Sequence, residues 1–189
     1  MKTLLSVILI LTVTVSVSRA AEPSLPEESL VREGISAALR GAHFLTDRQN
    51  ADGSWNAPVS TQKRIRMVLR ILAQEDPALK NSAEKIPVNP VLSAERVPGT
   101  ASAERYRNLF QLTVSFKQLE SDSVVKMNFP AWKNKMLSSF LKFQNPDGSW
   151  GRESQIVSSG YALAAICLIL QETFSGSDLL SLNSELSTP

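Results

Sequence analysis

Gln49-Asn50-Ala51-Asp52-Gly53-Ser54-Trp55 recurs 95 residues later as Gln144-Asn145-Pro146-Asp147-Gly148-Ser149-Trp150. Six of the seven positions are identical, and Ala51 against Pro146 is the one difference. Asn-x-Asp-Gly is turn chemistry. Asn and Asp side chains bond nearby backbone groups, and glycine takes a positive φ without steric cost. A glutamine amide can reach backbone groups left without partners where a helix ends. Tryptophan is a large apolar body that can pin a turn to a neighbouring helix. Each copy therefore reads as a staple between two helices, and self-similarity at a fixed offset predicts stacked helical units. On this reading Gln49, Asp52, Gly53 and Trp55, and equally Gln144, Asp147, Gly148 and Trp150, have structural roles.

The sequence around both copies carries helical periodicity. A first helix is expected from Glu27 to Gln49 behind Pro26, with Leu30, Gly34, Ala37, Ala38, Gly41, Phe44 and Leu45 on one face. Its small residues let a neighbouring helix come close. A second runs from Val59 to Glu75 and is ended by Asp76-Pro77. Ile65, Val68, Leu69 and Leu72 form its inner stripe, and Lys63, Arg66 and Arg70 a solvated basic one. A third spans Ala101–Leu119. A fourth spans Pro130–Phe143, with Trp132, Met136, Leu137, Phe140 and Leu141 inward. A fifth, Ser154–Thr173, is apolar almost all round, which marks a central buried helix. Residues 77–100 hold four prolines and read as a long connection with one short helical turn near Leu79–Glu84. No stretch alternates as a half-buried strand does, so the expected fold is all-α.

The chain has 189 residues, 43% of them hydrophobic and 20% charged, an ordinary globular composition with enough length for one real core. Lys2 followed by the apolar run Leu4–Val17, with Ser18-Arg19-Ala20 ahead of Ala21, has the layout of a cleaved export signal. The run is shorter than a spanning helix needs. The expected organisation is a signal peptide over 1–20, a helical repeat domain over 21–176 and a flexible Ser-rich tail over 177–189, in a secreted or periplasmic protein with no membrane span after cleavage. Without Lys2 and Arg19, 18 basic residues face 18 acidic ones. That balance does not call for a nucleic-acid partner. Cys167 is the only cysteine, so no internal disulfide can form. It lies in the apolar run Tyr161–Leu170 and reads as a small buried hydrophobe.

Phe44-Leu45-x-x-x-Gln49-x-x-x-Gly53-x-Trp55, with Arg40-Gly41 upstream, resembles the QW repeat of squalene–hopene and oxidosqualene cyclases. The second copy matches from Gln144 onward. Tyr161-Ala162-Leu163-Ala164-Ala165 is similar to the inner-helix sequence that follows such motifs, and Trp132 with Lys133–Leu137 resembles exported bacterial squalene-cyclase-like proteins. The resemblance covers about Glu27–Glu172. It implies an α/α toroid, in which inner and outer helices alternate around a cavity. A full toroid needs about ten or twelve helices, so five imply a partial ring whose ends expose apolar surface until something covers them.

The same resemblance makes the chemistry of the chain conspicuous by difference. The cyclases use an Asp-x-Asp-Asp acid, and Glu120-Ser121-Asp122 and Glu27-Glu28 are different patterns. The prenyltransferases hold zinc with Asp, Cys and His, where this chain offers one His, His43, and one Cys, Cys167, so no metal and no cofactor are expected. There is no Gly-x-Ser-x-Gly elbow and no phosphate-binding glycine loop. Carboxylates at Asp52 and Asp147 sit in turns, where a structural role outweighs acid–base work. No catalytic residue is assigned. The reading favoured is a non-catalytic exported helical-repeat protein that binds a protein partner or self-associates as a homo-oligomer. The alternatives are a carrier or sensor holding a hydrophobic lipid or isoprenoid in a cavity lined by Tyr106, Phe110, Phe116 and Tyr161, and a cyclase-like enzyme with an atypical site.

Overall fold

The computed structural model of the chain describes residues 28–85, 100–120 and 128–174. The expected signal peptide and C-terminal tail lie outside the described residues, as does most of the proline-rich connection. Among the described residues there are six α-helices and no strand: α1 (Glu28–Asp47), α2 (Val59–Leu72), α3 (Lys80–Glu84), α4 (Ala101–Glu120), α5 (Phe129–Lys142) and α6 (Gln155–Ile169). A 3-10 turn, Pro77–Leu79, leads directly into α3. No described helix is long and apolar enough to cross a membrane.

The helix ends follow from local chemistry. Pro58 precedes α2 with φ fixed near −54°, and Asp76 caps the 3-10 turn by accepting from the Ala78 N–H at 3.0 Å. Asn128 does the same for α5, accepting from the Ala131 N–H at 3.0 Å, with Pro130 inside the first turn. α6 starts differently: Ser154 precedes it at φ 51°, a left-handed conformation that an L-residue adopts only when its surroundings hold it there.

Every residue of α6 from Val157 to Ile169 is buried. The helix is apolar on all sides because α4, α2, α1 and α5 each pack against it. The remaining packing runs α5–α1–α2–α3. α1 contributes most of the face expected from its spacing: Gly34, Ala37, Ala38, Gly41, Phe44 and Leu45 are buried, and Leu30 is partly buried against the core. The small residues are there because of what approaches them. A methyl at Gly34 would come within 2.9 Å of Leu137, and one at Gly41 within 2.4 Å of the Trp150 ring.

A network of ion pairs borders this interior at one edge. Lys133 of α5 is buried and bridges Glu120 at 2.6 Å and Glu172 at 3.0 Å, and Glu120 also accepts from Lys117 at 2.8 Å. Burial pushes the Lys133 pKa down, but its two carboxylate partners outweigh that and hold it above the ordinary lysine value. The network ties the end of α4 and the chain after α6 to α5.

Candidate functional site

The two copies of the repeat fold into the same turn and share most of its hydrogen bonds; Asn145 alone makes an extra one, from Nδ2 to Gly151 O at 2.7 Å. In the first, the Asn50 N–H donates to Ser54 O at 2.9 Å and the Gly53 N–H to Asn50 O at 2.9 Å. In the second, the Asn145 N–H donates to Ser149 O at 2.8 Å and the Gly148 N–H to Asn145 O at 3.0 Å. Asp52 Oδ1 accepts from the Ser54 N–H and hydroxyl, as Asp147 Oδ1 does from Ser149. Gly53 and Gly148 sit at φ 85° and 86°, which explains why glycine stands at both positions. Each indole N–H reaches back ten residues to a carbonyl at the end of the preceding helix: Trp55 to Leu45 at 2.7 Å, Trp150 to Phe140 at 2.9 Å.

Each turn also docks a helix from elsewhere in the chain, by one shared rule. Gln49 Nε2 donates to Gly53 O and to Ser82 O of α3, both at 3.0 Å, and Gly53 lies against the Lys85 carbonyl. Gln144 Nε2 donates to Gly148 O at 2.9 Å and to Ala37 O of α1 at 2.8 Å, and Gly148 lies against the Arg40 carbonyl. In both cases the glutamine takes one carbonyl and the glycine meets the carbonyl three residues further on. The segment Ser82–Lys85 thus occupies for the first turn the position that Ala37–Arg40 occupies for the second. The glutamine and aspartate side chains and the indole N–H are committed to these bonds.

The hydrogen bonds from Ser54 and Ser149 hold the Asp52 and Asp147 carboxyls below their usual pKa. Burial pushes Glu120 up, but the Lys117 and Lys133 ammonium groups outweigh it and its pKa is lowered too. The unfolded chain therefore takes up these protons at a higher pH than the folded one, so protonation favours unfolding. Stability from these three groups is expected to be full above their ordinary values of 3.8 and 4.5 and to fall as pH drops through the lower folded values. Thermal melts across pH 3 to 7 (a range of about 4 units) check this. Asp147→Asn, which keeps an oxygen acceptor, should flatten the acid limb, and an unchanged limb would show that Asp147 plays no part in it.

The four aromatics expected to line a cavity fall into three separate pairs. Phe110 and Tyr161 lie 5.8 Å apart between α4 and α6. Tyr106 stacks on Phe140 at 6.4 Å, and Phe116 on Trp132 at 4.5 Å, both between α4 and α5. Over the first pair sits Arg64, 4.2 Å from the Tyr161 ring and 5.2 Å from that of Phe110, with Arg107 also over Tyr161 at 5.8 Å. Burial lowers the Arg64 pKa, and its Nε and Nη1 have no hydrogen-bond partner. Spacing alone did not single out Arg64, because it sits beside the inner stripe of α2 rather than in it. Arg66 departs from the expected basic stripe. It is half-buried, 5.5 Å over the Trp55 ring, and reaches Gly53 O at 3.4 Å, whereas Lys63 and Arg70 are exposed.

His43 is on the surface, 2.8 Å from Asp76, while Cys167 is fully enclosed and burial pushes its thiol up to about 12. An unreactive thiol follows. Among the described residues no three of His, Cys, Asp and Glu cluster in a way that could hold a metal.

A groove of about 660 Å³ opens between the first half of α4, the end of α5 and the second turn. Tyr106, Gln144 and Asn145 lie along it with the cations Arg105, Lys142 and Arg152 and the carboxylate Glu153. At its rim Phe143 is 43% exposed, with the Arg105 guanidinium 4.5 Å and the Lys142 ammonium 5.9 Å from its ring. On the outward side of α4, a shallower depression lined by Leu109 and Leu112 adjoins it through Arg105. Leu112 and Leu119 of this helix are 44% and 39% exposed. Comparison with known proteins adds no relative to this picture: no family model, no curated protein and no solved structure matches the chain.

Proposed function

We propose that this chain is a non-catalytic, exported helical-repeat protein that acts by binding, through the outward face of α4, a second copy of itself or another protein. The observation that carries the reading is the placement of the large exposed apolar side chains. Leu112 and Leu119 share α4, and Phe143 stands at the end of the neighbouring α5. Single exposed leucines need no explanation. Three large exposed apolar side chains on two adjoining elements, beside a depression lined by Leu109 and Leu112, are the kind of surface that association covers.

The repeat turns support the architectural half of the proposal, a partial α/α ring like that of the QW-repeat cyclases. Both turns seat a helix by the same pair of contacts, which is how repeat units stack. They also weigh against catalysis by the motif itself, since its polar groups are engaged in holding backbone. The lipid-carrier reading has less behind it, because the interior on the α4 side is filled by three aromatic pairs.

Native mass spectrometry and light scattering on residues 21–189 test the proposal. A homo-oligomer is expected, dissociating to monomer in Leu112→Glu/Leu119→Glu while the circular dichroism spectrum stays helical. Oligomers that survive the double substitution would remove α4 from the interface. A monomer with no partner captured, carrying an extra mass of lipid size, would replace the proposal with the carrier reading.

A further inference from the structure

Comparing the two repeat copies separates what the turn requires from what it does not. Residues shared by both copies are accounted for by the turn's own hydrogen bonds. The groove's cations and its exposed ring are not shared. At the shift of 95, Phe143 corresponds to Arg48, Lys142 to Asp47 and Arg152 to Ala57. The first turn makes the same backbone and aspartate–serine bonds without them. Folding therefore does not explain an exposed phenylalanine flanked by cations, nor a third cation across the groove.

From this we infer that the groove between α4, the end of α5 and the second turn binds an acidic segment of a partner protein, with carboxylates on Arg105, Lys142 and Arg152 and an apolar side chain against Phe143. This deepens the interaction role proposed above and rests on it. The charges argue for an anion. Three cations face one carboxylate, Glu153, and among the described residues none of the three is in an ion pair. A concave site lined by one sign of charge concentrates ligands of the other, and guanidinium is the group best matched to carboxylate. The placement argues for a segment rather than a single ion, because the cations come from three different elements. The ring argues for a peptide rather than a wholly ionic polymer: Phe143 offers apolar surface, and Arg105 held over it has less freedom to lose when it pairs. The groove is within the size range of sites that take a few residues of extended chain.

The test is fluorescence anisotropy on residues 21–189 with a labelled peptide of alternating glutamate and leucine, beside a lysine–leucine control and a single-stranded oligonucleotide of equal charge. The acidic peptide is expected to bind, more weakly as salt rises. Arg105→Ala/Arg152→Ala and, separately, Phe143→Ala are each expected to weaken it by about tenfold or more. Lys63→Ala/Arg70→Ala, exposed cations of α2 outside the groove lining, should leave it unchanged. Loss with the α2 pair equal to that with the groove pair, no loss with Phe143→Ala, tighter binding of the oligonucleotide, or no binding of the acidic peptide would each overturn the assignment. Leu112→Glu/Leu119→Glu separates the two readings. Peptide binding by a chain that never oligomerises leaves the groove and removes self-association through α4, and an oligomer that ignores the peptide does the reverse.

Discussion

Trp150→Ala is expected to destabilise the fold by about 3–5 kcal/mol, the range for deleting a large buried aromatic. The indole is 0% exposed, and its N–H donates to Phe140 O at 2.9 Å. Its ring fills the space above Gly41, and the backbone N–H of Trp150 is held by Ser159 Oγ at 2.9 Å. The residue thus joins α5 and α1 through its side chain and α6 through its backbone. Against a total of about 5–15 kcal/mol for a domain, the loss would remove much of the stability. Urea melts followed by circular dichroism measure it. Trp150→Phe separates the contributions: it keeps much of the apolar volume and leaves the Phe140 carbonyl without its donor, for about 1–3 kcal/mol. A cost below about 1 kcal/mol for Trp150→Ala would mean that the turn is not what holds these helices together.

Gly41→Ala tests the same junction from the other side, and its sign discriminates between two principles. Helix propensity alone predicts a gain of about 0.8–1 kcal/mol, since glycine is a poor residue for a helix interior. The structure predicts a net loss of about 1–3 kcal/mol. The added methyl would stand 2.4 Å from Trp150 Cζ3 and 3.1 Å from Leu163 Cδ2, with both side chains buried and unable to swing away. The clash depends on the far ring of the indole, which phenylalanine lacks. In a Trp150→Phe background Gly41→Ala should therefore cost far less, giving a coupling of about 0.5–3 kcal/mol between the two sites. Additive effects would show that Gly41 is needed for some other reason.

Much of this architecture was legible in the sequence because each signal had a local cause. Of the face expected on α1, Gly34, Ala37, Ala38, Gly41, Phe44 and Leu45 are buried and Leu30, at its outer end, is partly buried against the core. The short helical turn expected near Leu79–Glu84 is α3, with the 3-10 turn leading into it. The repeat announced two alike turns, and the bonds of Asp52 and Asp147 are alike. The docking partners of those turns could not be read. Nothing local links Gln144 to Ala37 O, because a glutamine amide carries no information about which carbonyl it meets. Arg66 misled for a related reason: its spacing on α2 matches Lys63 and Arg70, yet a fold in three dimensions lays it over Trp55. The groove was hidden because its residues are set apart by where copy two departs from copy one, at Phe143 and Arg152, and a search for resemblance passes over differences.

The two docking bonds also set an order of events on the ribosome. Turn one finds its carbonyl at Ser82, 33 residues on, while turn two must reach 107 residues back to Ala37. Once Lys85 has emerged, the first unit has everything its own turn requires. Another 65 residues must then be added before Trp150 emerges in turn, roughly 3–13 s of synthesis at about 5–20 residues per second. Through that interval the part of α1 that Trp150 and Leu137 will cover, Gly41 and Gly34, has no indole or leucine against it. A nascent chain in this state offers helper proteins the small-residue strip of α1 together with the faces of α1 and α2 that α6 will cover, and both are closed only once the second turn and α6 arrive.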